Sequence, residues 1–308
     1  MHVFVTGGTG LIGTRLVREL RQRRDDVTVL TRRPAAARDK LPAGCNIVEG
    51  DPMQPGPWMD AVADCDAVVN LAGESIFGRR WNDDFKALLR DSRVKSTEHL
   101  VQALARQPRT GAGQPKVLVN ASAIGYYGPH GDEEITEEMP SGDDTLARVT
   151  VDWEQAARAA EAHGVRVALL RIGVVLDKEG GALAQMLTPF KIGVGGPVGS
   201  GKQWTSWIHH ADVVGLLLLA LGSGSTSGPV NGTAPNPVTN KAFSKALGRA
   251  LHRPAFMPVP AFALRLRFGQ VAEVLTTGQR VLPRRALALG YQFKFPDVDS
   301  ALQDILAS

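Results

Sequence analysis

At 308 residues, 44% of them hydrophobic and 21% charged, the chain has material for one large α/β domain with an appended lobe, and its composition is neither disordered nor fibrous. Its two cysteines, Cys45 and Cys65, show no CxxC spacing, which argues against a disulfide framework or a zinc site and fits a reducing compartment. The net charge of +4 is interspersed: Arg15, Arg18, Arg21, Arg23 and Arg24 lie on and just after the first helical pattern, where cations complement a helix C-terminus, with no interleaved aromatics of the kind a nucleic-acid surface uses.

In chain order, short runs rich in Val, Ile and Leu predict strands at His2–Thr6, Val27–Leu30, Asn46–Glu49, Ala67–Leu71, Lys116–Asn120 and Val165–Leu170. Helical patterns lie between them at Leu11–Arg23, Asp83–Arg106 and Leu146–His163, and this alternation predicts a Rossmann-type, doubly wound parallel sheet. The expected division is a dinucleotide-binding domain over 1–175, to which some later segments return, and a smaller substrate lobe with a C-terminal extension over 176–308. In that second part Gly193–Pro197 and Gly222–Gly228 read as loops separated by a helix at Ala211–Leu221, and a Pro-bounded segment, Pro254–Pro260, leads into Ala261–Leu275 and a short C-terminal helix, Asp297–Leu306. The acidic stretch Asp132–Glu138 reads as an exposed loop over the cleft. The longest apolar run, Val213 to Leu221, is far short of the ~20 residues that span a bilayer, and no signal peptide precedes the first strand, so a cytoplasmic protein is expected.

The strongest local pattern is Val3-Phe4-Val5-Thr6-Gly7-Gly8-Thr9-Gly10-Leu11-Ile12-Gly13. Gly7, Gly10 and Gly13 follow an apolar strand and open a helix. The first permits a tight turn, the second lets the backbone approach a pyrophosphate, and the third allows close helix–strand packing. Gly7, Thr9, Gly10, Leu11, Ile12 and Gly13 are thus expected to bind a dinucleotide at the helix N-terminus. The second strand ends in Thr31-Arg32-Arg33, with no acid until Asp39 to hold a ribose 2′-hydroxyl. Arg32 and Arg33 suit a 2′-phosphate instead, which makes NADP the expected cofactor.

These residues, with Gly50-Asp51, Leu71-Ala72-Gly73-Glu74-Ser75-Ile76, Ser122-Ala123-Ile124-Gly125-Tyr126-Tyr127-Gly128, Arg171–Leu176 and Trp207–Asp212, resemble the short-chain dehydrogenase/reductase superfamily in its extended, sugar-nucleotide-epimerase-like branch. The stretch Gly248–Pro296 narrows the likeness to an atypical "epimerase family" subgroup with a C-terminal extension, NADP-binding where a cofactor is known. The resemblance implies that Asp51 lies near the adenine, that Leu71, Ala72 and Gly73 lie beside the cofactor ribose, and that Ser122 hydrogen-bonds a substrate oxygen.

The pattern departs from the superfamily at its Tyr-x-x-x-Lys pair. Alignment puts Leu146 and Thr150 there; the tyrosines are Tyr126, Tyr127 and Tyr291, none followed four places on by Lys. Arg93 stands where extended members usually carry an asparagine, and offers a replacement charge. Tyr127 is the first candidate proton donor, with Tyr126 and Glu74 behind it. His209, His210 and Asp212 lack metal-site spacing, so no metal is expected, and Asp212 is expected to cap the following helix. Arg265, Arg267, Arg280, Arg284 and Arg285 read as a solvated helix face, a partner or membrane-surface contact being left open. Two functions remain. One is an NADP(H)-dependent oxidoreductase or epimerase-like enzyme acting on a small polar substrate through Ser122, Tyr127 and Arg93. The other is a non-catalytic NADPH-binding regulatory protein. Neither nucleic acid nor membrane is an expected partner, and a homodimer stays open.

Overall fold

The computed structural model describes residues 1–107, 109, 110, 113 and 116–307. The first half runs β1 (His2–Thr6), α1 (Leu11–Gln22), β2 (Asp26–Thr31), α2 (Pro34–Lys40), β3 (Asn46–Glu49), β4 (Ala67–Asn70), α3 (Asp83–Arg106), β5 (Val117–Ala123), β6 (Glu134–Ile135), α4 (Thr145–Arg158) and β7 (Arg166–Ile172). The second half runs β8 (Val174–Leu176), α5 (Gly181–Lys191), β9 (Trp204–Thr205), β10 (Trp207–His209), α6 (His210–Gly222), β11 (Gly228–Gly232), β12 (Val238–Thr239), α7 (Asn240–Leu251), α8 (Ala261–Phe268), α9 (Ala272–Thr276), β13 (Arg280–Val281), α10 (Arg284–Ala288) and α11 (Val298–Ala307).

Seven parallel strands form the central sheet in the order β11-β7-β5-β4-β1-β2-β3. Both faces are covered, which is why the inner strands are mostly apolar rather than alternating. Leu16, Val17 and Leu20 of α1 and Val213 and Leu217 of α6 close one face, and Leu100 and Leu104 of α3 with Ala157 of α4 close the other. The strand order reverses between β1 and β4, so the crevice at their C-terminal ends is where an open α/β sheet binds its ligand. A third cluster, with Leu183 and Phe190 of α5, Phe243 and Leu247 of α7 and Leu302 and Ile305 of α11, forms a separate small core for the later segments.

Four readings of the sequence change. The seventh strand, β11, was hidden in a Gly-, Ser- and Pro-rich stretch, and it returns residues 228–232 to the sheet beside β7. The acidic stretch is not a free loop: Glu134–Ile135 pairs with Arg280–Val281, Ile135 is fully buried, and Arg280 and Arg284 both reach Glu134. Those two arginines are therefore cross-links rather than a solvated face. Asp212 is not the cap of α6; His209 Nδ1 accepts from the Ala211 N–H, while the buried Asp212 carboxylate accepts from the backbone N–H of Lys294 and Phe295 and from Tyr291. Arg15, finally, does more than complement its helix dipole, since its guanidinium pairs with Asp177 at 2.6 Å and with Glu179 at 3.2 Å.

Candidate dinucleotide and substrate site

The glycine turn is constrained by contact. Gly7 takes φ +66°, and a Cβ there would lie 2.6 Å from the Leu71 carbonyl carbon and oxygen. A Cβ on Gly13 would lie 2.2 Å from the Gly7 carbonyl oxygen, so α1 packs as closely on the turn as a glycine allows. Gly10 caps α1 without a side-chain bond, and no acid stands in the first turn, which leaves the positive end of the helix open for an anion. The uncapped helix end at this turn therefore suits a pyrophosphate.

A buried polar chain holds the neighbouring strand ends. Thr6 Oγ1 donates to Asn70 Oδ1 (2.6 Å), and Asn70 Nδ2 donates to Asn120 Oδ1 (2.6 Å) and Thr97 Oγ1 (2.9 Å). The Ala72 N–H in turn reaches Thr6 Oγ1 at 3.3 Å, which fixes the loop of Leu71, Ala72 and Gly73 beside the glycine turn. Such fully paired networks define one geometry where an apolar core would tolerate several. Asp51, two residues past the end of the β3 ladder, forms an Asx turn by accepting from the Met53 N–H.

Beyond β2, Thr9, Thr31, Arg32, Arg33, Ala36, Ala37 and Lys40 line a cavity of about 260 Å³. None of Arg32, Arg33 and Lys40 is paired with an acid among the described residues. Three cations converging on one hollow without a counter-ion among the described residues have the chemistry to hold an anion. Lys40 was missed by sequence reasoning because the helix that carries it, α2, is only 7 residues long and was not predicted.

The expected catalytic residues are brought to the same end of the sheet, but two of them turn inward. Ser122 is buried and donates its Oγ proton to Glu154 Oε1 at 2.6 Å. Arg171 clamps that carboxylate with Nε to Oε1 at 2.7 Å and Nη2 to Oε2 at 2.8 Å, both side chains being buried. Arg171 Nη1 also donates to the Tyr127 hydroxyl (2.9 Å), which donates to Asn231 Oδ1 (2.7 Å). Burial pushes the Tyr127 phenol up to about 12, against the opposing pull of Arg171. Its proton is thus committed to Asn231 and costly to remove. Ser122 and Tyr127 are members of this buried network, Ser122 through the packing of α4 against β5 and Tyr127 through Arg171 of β7 and Asn231 of β11. Glu154 was legible in principle, as an acid in register with Leu146 and Thr150 along one helical face.

Tyr126 differs from its neighbour. It is half-buried, its ring lies over the Arg171 guanidinium at 3.4 Å, and its hydroxyl makes no hydrogen bond among the described residues. Arg93 lies at the end of β4, along Gly73: a Cβ on that glycine would meet the Arg93 guanidinium carbon at 3.3 Å. It donates to the carbonyls of Glu74 (3.0 Å) and Leu89 (2.9 Å) and stacks over Trp153 at 5.2 Å. Burial lowers its pKa to about 10, which still leaves it a cation at neutral pH. Leu146 and Thr150 face Gly125 in the turn after β5, where the position of a Cβ would be 3.5 Å from Leu146 Cβ and 3.9 Å from Thr150 Oγ1. Among the described residues no cluster of three or more His, Cys, Asp or Glu is arranged to hold a metal.

Residues 3–231 match the model of the NAD dependent epimerase/dehydratase family, and residues 259–305 match a domain of unknown function, DUF1731. The chain is 45% identical over 310 residues to a chloroplastic SDR39U1-homologue epimerase family protein of Arabidopsis thaliana, covering 99% of this chain and 87% of that protein. It is 40% identical over 314 residues to the epimerase family protein SDR39U1 of Homo sapiens, with 100% of both covered. The crystal structure of human SDR39U1 (isoform 2) with NADPH superposes with a TM-score of 0.86 at 38% identity, covering 100% of this chain and 99% of that one.

Proposed function

The chain belongs to the NAD dependent epimerase/dehydratase family and binds a nicotinamide dinucleotide, and from that premise we propose that it prefers NADP(H) and moves hydride to or from a small polar substrate without the Tyr-x-x-x-Lys pair. The observation that carries the cofactor choice is the hollow of Arg32, Arg33 and Lys40 beside Thr9, which offers three unpaired cations to a 2′-phosphate. The glycine turn with Gly7, Thr9, Gly10, Leu11, Ile12 and Gly13 takes the pyrophosphate. Asp51 meets the adenosine end, and Leu71, Ala72 and Gly73 line the path to the nicotinamide. That the human relative was crystallised with NADPH agrees with this choice.

For the chemistry, Arg93 supplies positive charge beside Gly73, and Tyr126 replaces Tyr127 as the proton donor, because its hydroxyl has no hydrogen bond among the described residues. Ser122, through Glu154 and Arg171, holds the end of β5 in place. The bound cofactor supplies the hydride chemistry; the chain binds, orients and handles the proton.

Titration of the purified protein with NADPH and NADH, followed by nicotinamide fluorescence, tests the first half: preference for NADH would refute it. Incubation with 4-deuterated NADPH and a panel of small polar carbonyl compounds tests the second, deuterium transfer being the expected result. The locked state of Ser122 and Tyr127 favours a second reading, a non-catalytic protein that reports NADPH occupancy. Tight NADPH binding without label transfer to any compound would select it.

A further inference from the structure

Charge is distributed unevenly along the sequence. Between Glu179 and Glu273, residues 180–272 hold eight lysines and arginines and a single acid, Asp212. Asp212 is fully buried, so the surface of this stretch carries no carboxylate. The remainder of the chain, with 27 bases against 30 acids, is slightly negative. The net charge of +4 therefore conceals a basic segment set on a slightly acidic remainder. Arg249 meets Asp299 at 2.6 Å and Arg265 approaches Glu273 at 3.9 Å, whereas Lys191, Lys202, Lys241, Lys245 and Arg253 form no ion pair among the described residues.

The same stretch exposes its apolar side chains. Ile192 is 70% exposed, Phe256 73%, Phe262 74% and Leu266 77%, with Val194 and Met257 also on the surface. Ile192, Val194, Phe256 and Met257 are brought to one region because the segment after α5 runs beside the segment before α8, and Phe262 and Leu266 follow on α8. The Val259 N–H donates to the Pro197 carbonyl (2.8 Å), the Gly199 N–H to the Val259 carbonyl (2.9 Å), and Arg253 Nε to the Lys191 carbonyl (3.1 Å). Phe262 and Leu266 are one turn apart on α8, with Arg265 beside them, so the helix presents an apolar edge flanked by a cation. Exposed clusters of this size on a folded domain mark an interaction surface.

We propose that this face docks on an anionic lipid surface, with Phe256, Phe262 and Leu266 entering the headgroup–acyl boundary and the surrounding lysines and arginines meeting lipid phosphates. Charge decides among the occupants. A second copy would bring one cationic face against another, which repels. Single-stranded nucleic acid would stack on the two phenylalanines but leave Ile192, Leu266 and Met257 without partners, since bases stack on aromatic rings. A bilayer interface satisfies both properties, because aliphatic and aromatic side chains insert while the basic residues are drawn to anionic headgroups. No helix among the described residues is long and apolar enough to cross a membrane, so the contact is peripheral. Such a contact departs from the expectation of no membrane partner and takes up the surface contact left open for Arg265 and its neighbours.

The test is co-sedimentation of the full chain with vesicles of phosphatidylglycerol mixed with phosphatidylcholine, and with vesicles of phosphatidylcholine alone. The expected result is binding at least ~tenfold stronger to the anionic vesicles, weakened by salt, and a similar loss in the Phe262→Ser/Leu266→Ser variant. Both side chains are exposed, so the variant should keep the unfolding midpoint of the parent, which separates lost docking from lost fold. No sedimentation with anionic vesicles, or equal sedimentation of the variant, would overturn the proposal. So would stronger retention by double-stranded DNA or polyglutamate than by the vesicles, which would assign the face to a nucleic acid or an acidic protein instead.

Discussion

Replacing Glu154 with Ala removes the carboxylate that neutralises Arg171 in the interior between β5, β7 and α4. Arg171 loses two short bonds, at 2.7 and 2.8 Å, and Ser122 loses its acceptor at 2.6 Å, all in surroundings where the paired side chains are only 3% and 4% exposed. An uncompensated buried charge of this kind costs about 3–5 kcal/mol, much more than the pair itself contributes over an apolar replacement. For a chain of 308 residues, an unfolding entropy of about 2.1 cal/mol/K per residue converts that loss into a fall of roughly 5–8 °C in Tm. The assay is thermal and urea unfolding of Glu154→Ala, Arg171→Met and the double variant Glu154→Leu/Arg171→Met. The double variant should recover much of the loss, because both charges leave together. A single variant that loses less than about 1 kcal/mol would refute the reasoning, since it would mean that water reaches the guanidinium and the pair behaves as a surface contact.

Arg32→Ala or Arg33→Ala should weaken NADPH binding about tenfold and leave NADH binding within about twofold, because only the phosphate monoester meets these cations; equal losses for both nucleotides in the fluorescence titration would move the arginines away from the 2′-position. Gly13→Ala sets a Cβ 2.2 Å from the Gly7 carbonyl oxygen. The forced opening of the turn costs about 1–3 kcal/mol and should appear as weaker NADPH binding, whereas undiminished affinity would take the turn out of the site. Burial, helped by the charge of His210, holds His209 down to about 4 from 6.5; its Nε2 lies 3.2 Å from Asp304 Oδ2 without hydrogen-bond alignment. The unfolded chain binds the proton more readily, so this contribution to stability is complete above about pH 6.5 and is lost as the pH falls toward 4. His209→Asn, which retains a cap for the Ala211 N–H, should flatten that acid limb in unfolding curves taken across the range, and an unaltered limb would assign it to other groups.

The sequence by itself determined what depends on neighbours along the chain. Apolar strand runs and a 3.6-residue helical period identified six strands of the doubly wound sheet, and the glycine spacing with Arg32 and Arg33 pointed to the cofactor and its phosphate, because a turn and the helix after it are set by a dozen consecutive residues. Tertiary structure decided whatever required distant segments to meet. β11 lacks the apolar run of a buried strand and becomes one through its pairing with β7. Lys40 joins Arg32 and Arg33 around one hollow only when α2 folds back toward Thr9. Ser122 and Tyr127 look catalytic as residue types in a motif, yet Glu154 and Asn231, 32 and 104 positions away, take up their hydroxyls. A side chain's chemical role depends on the partner its proton finds, and packing chooses that partner.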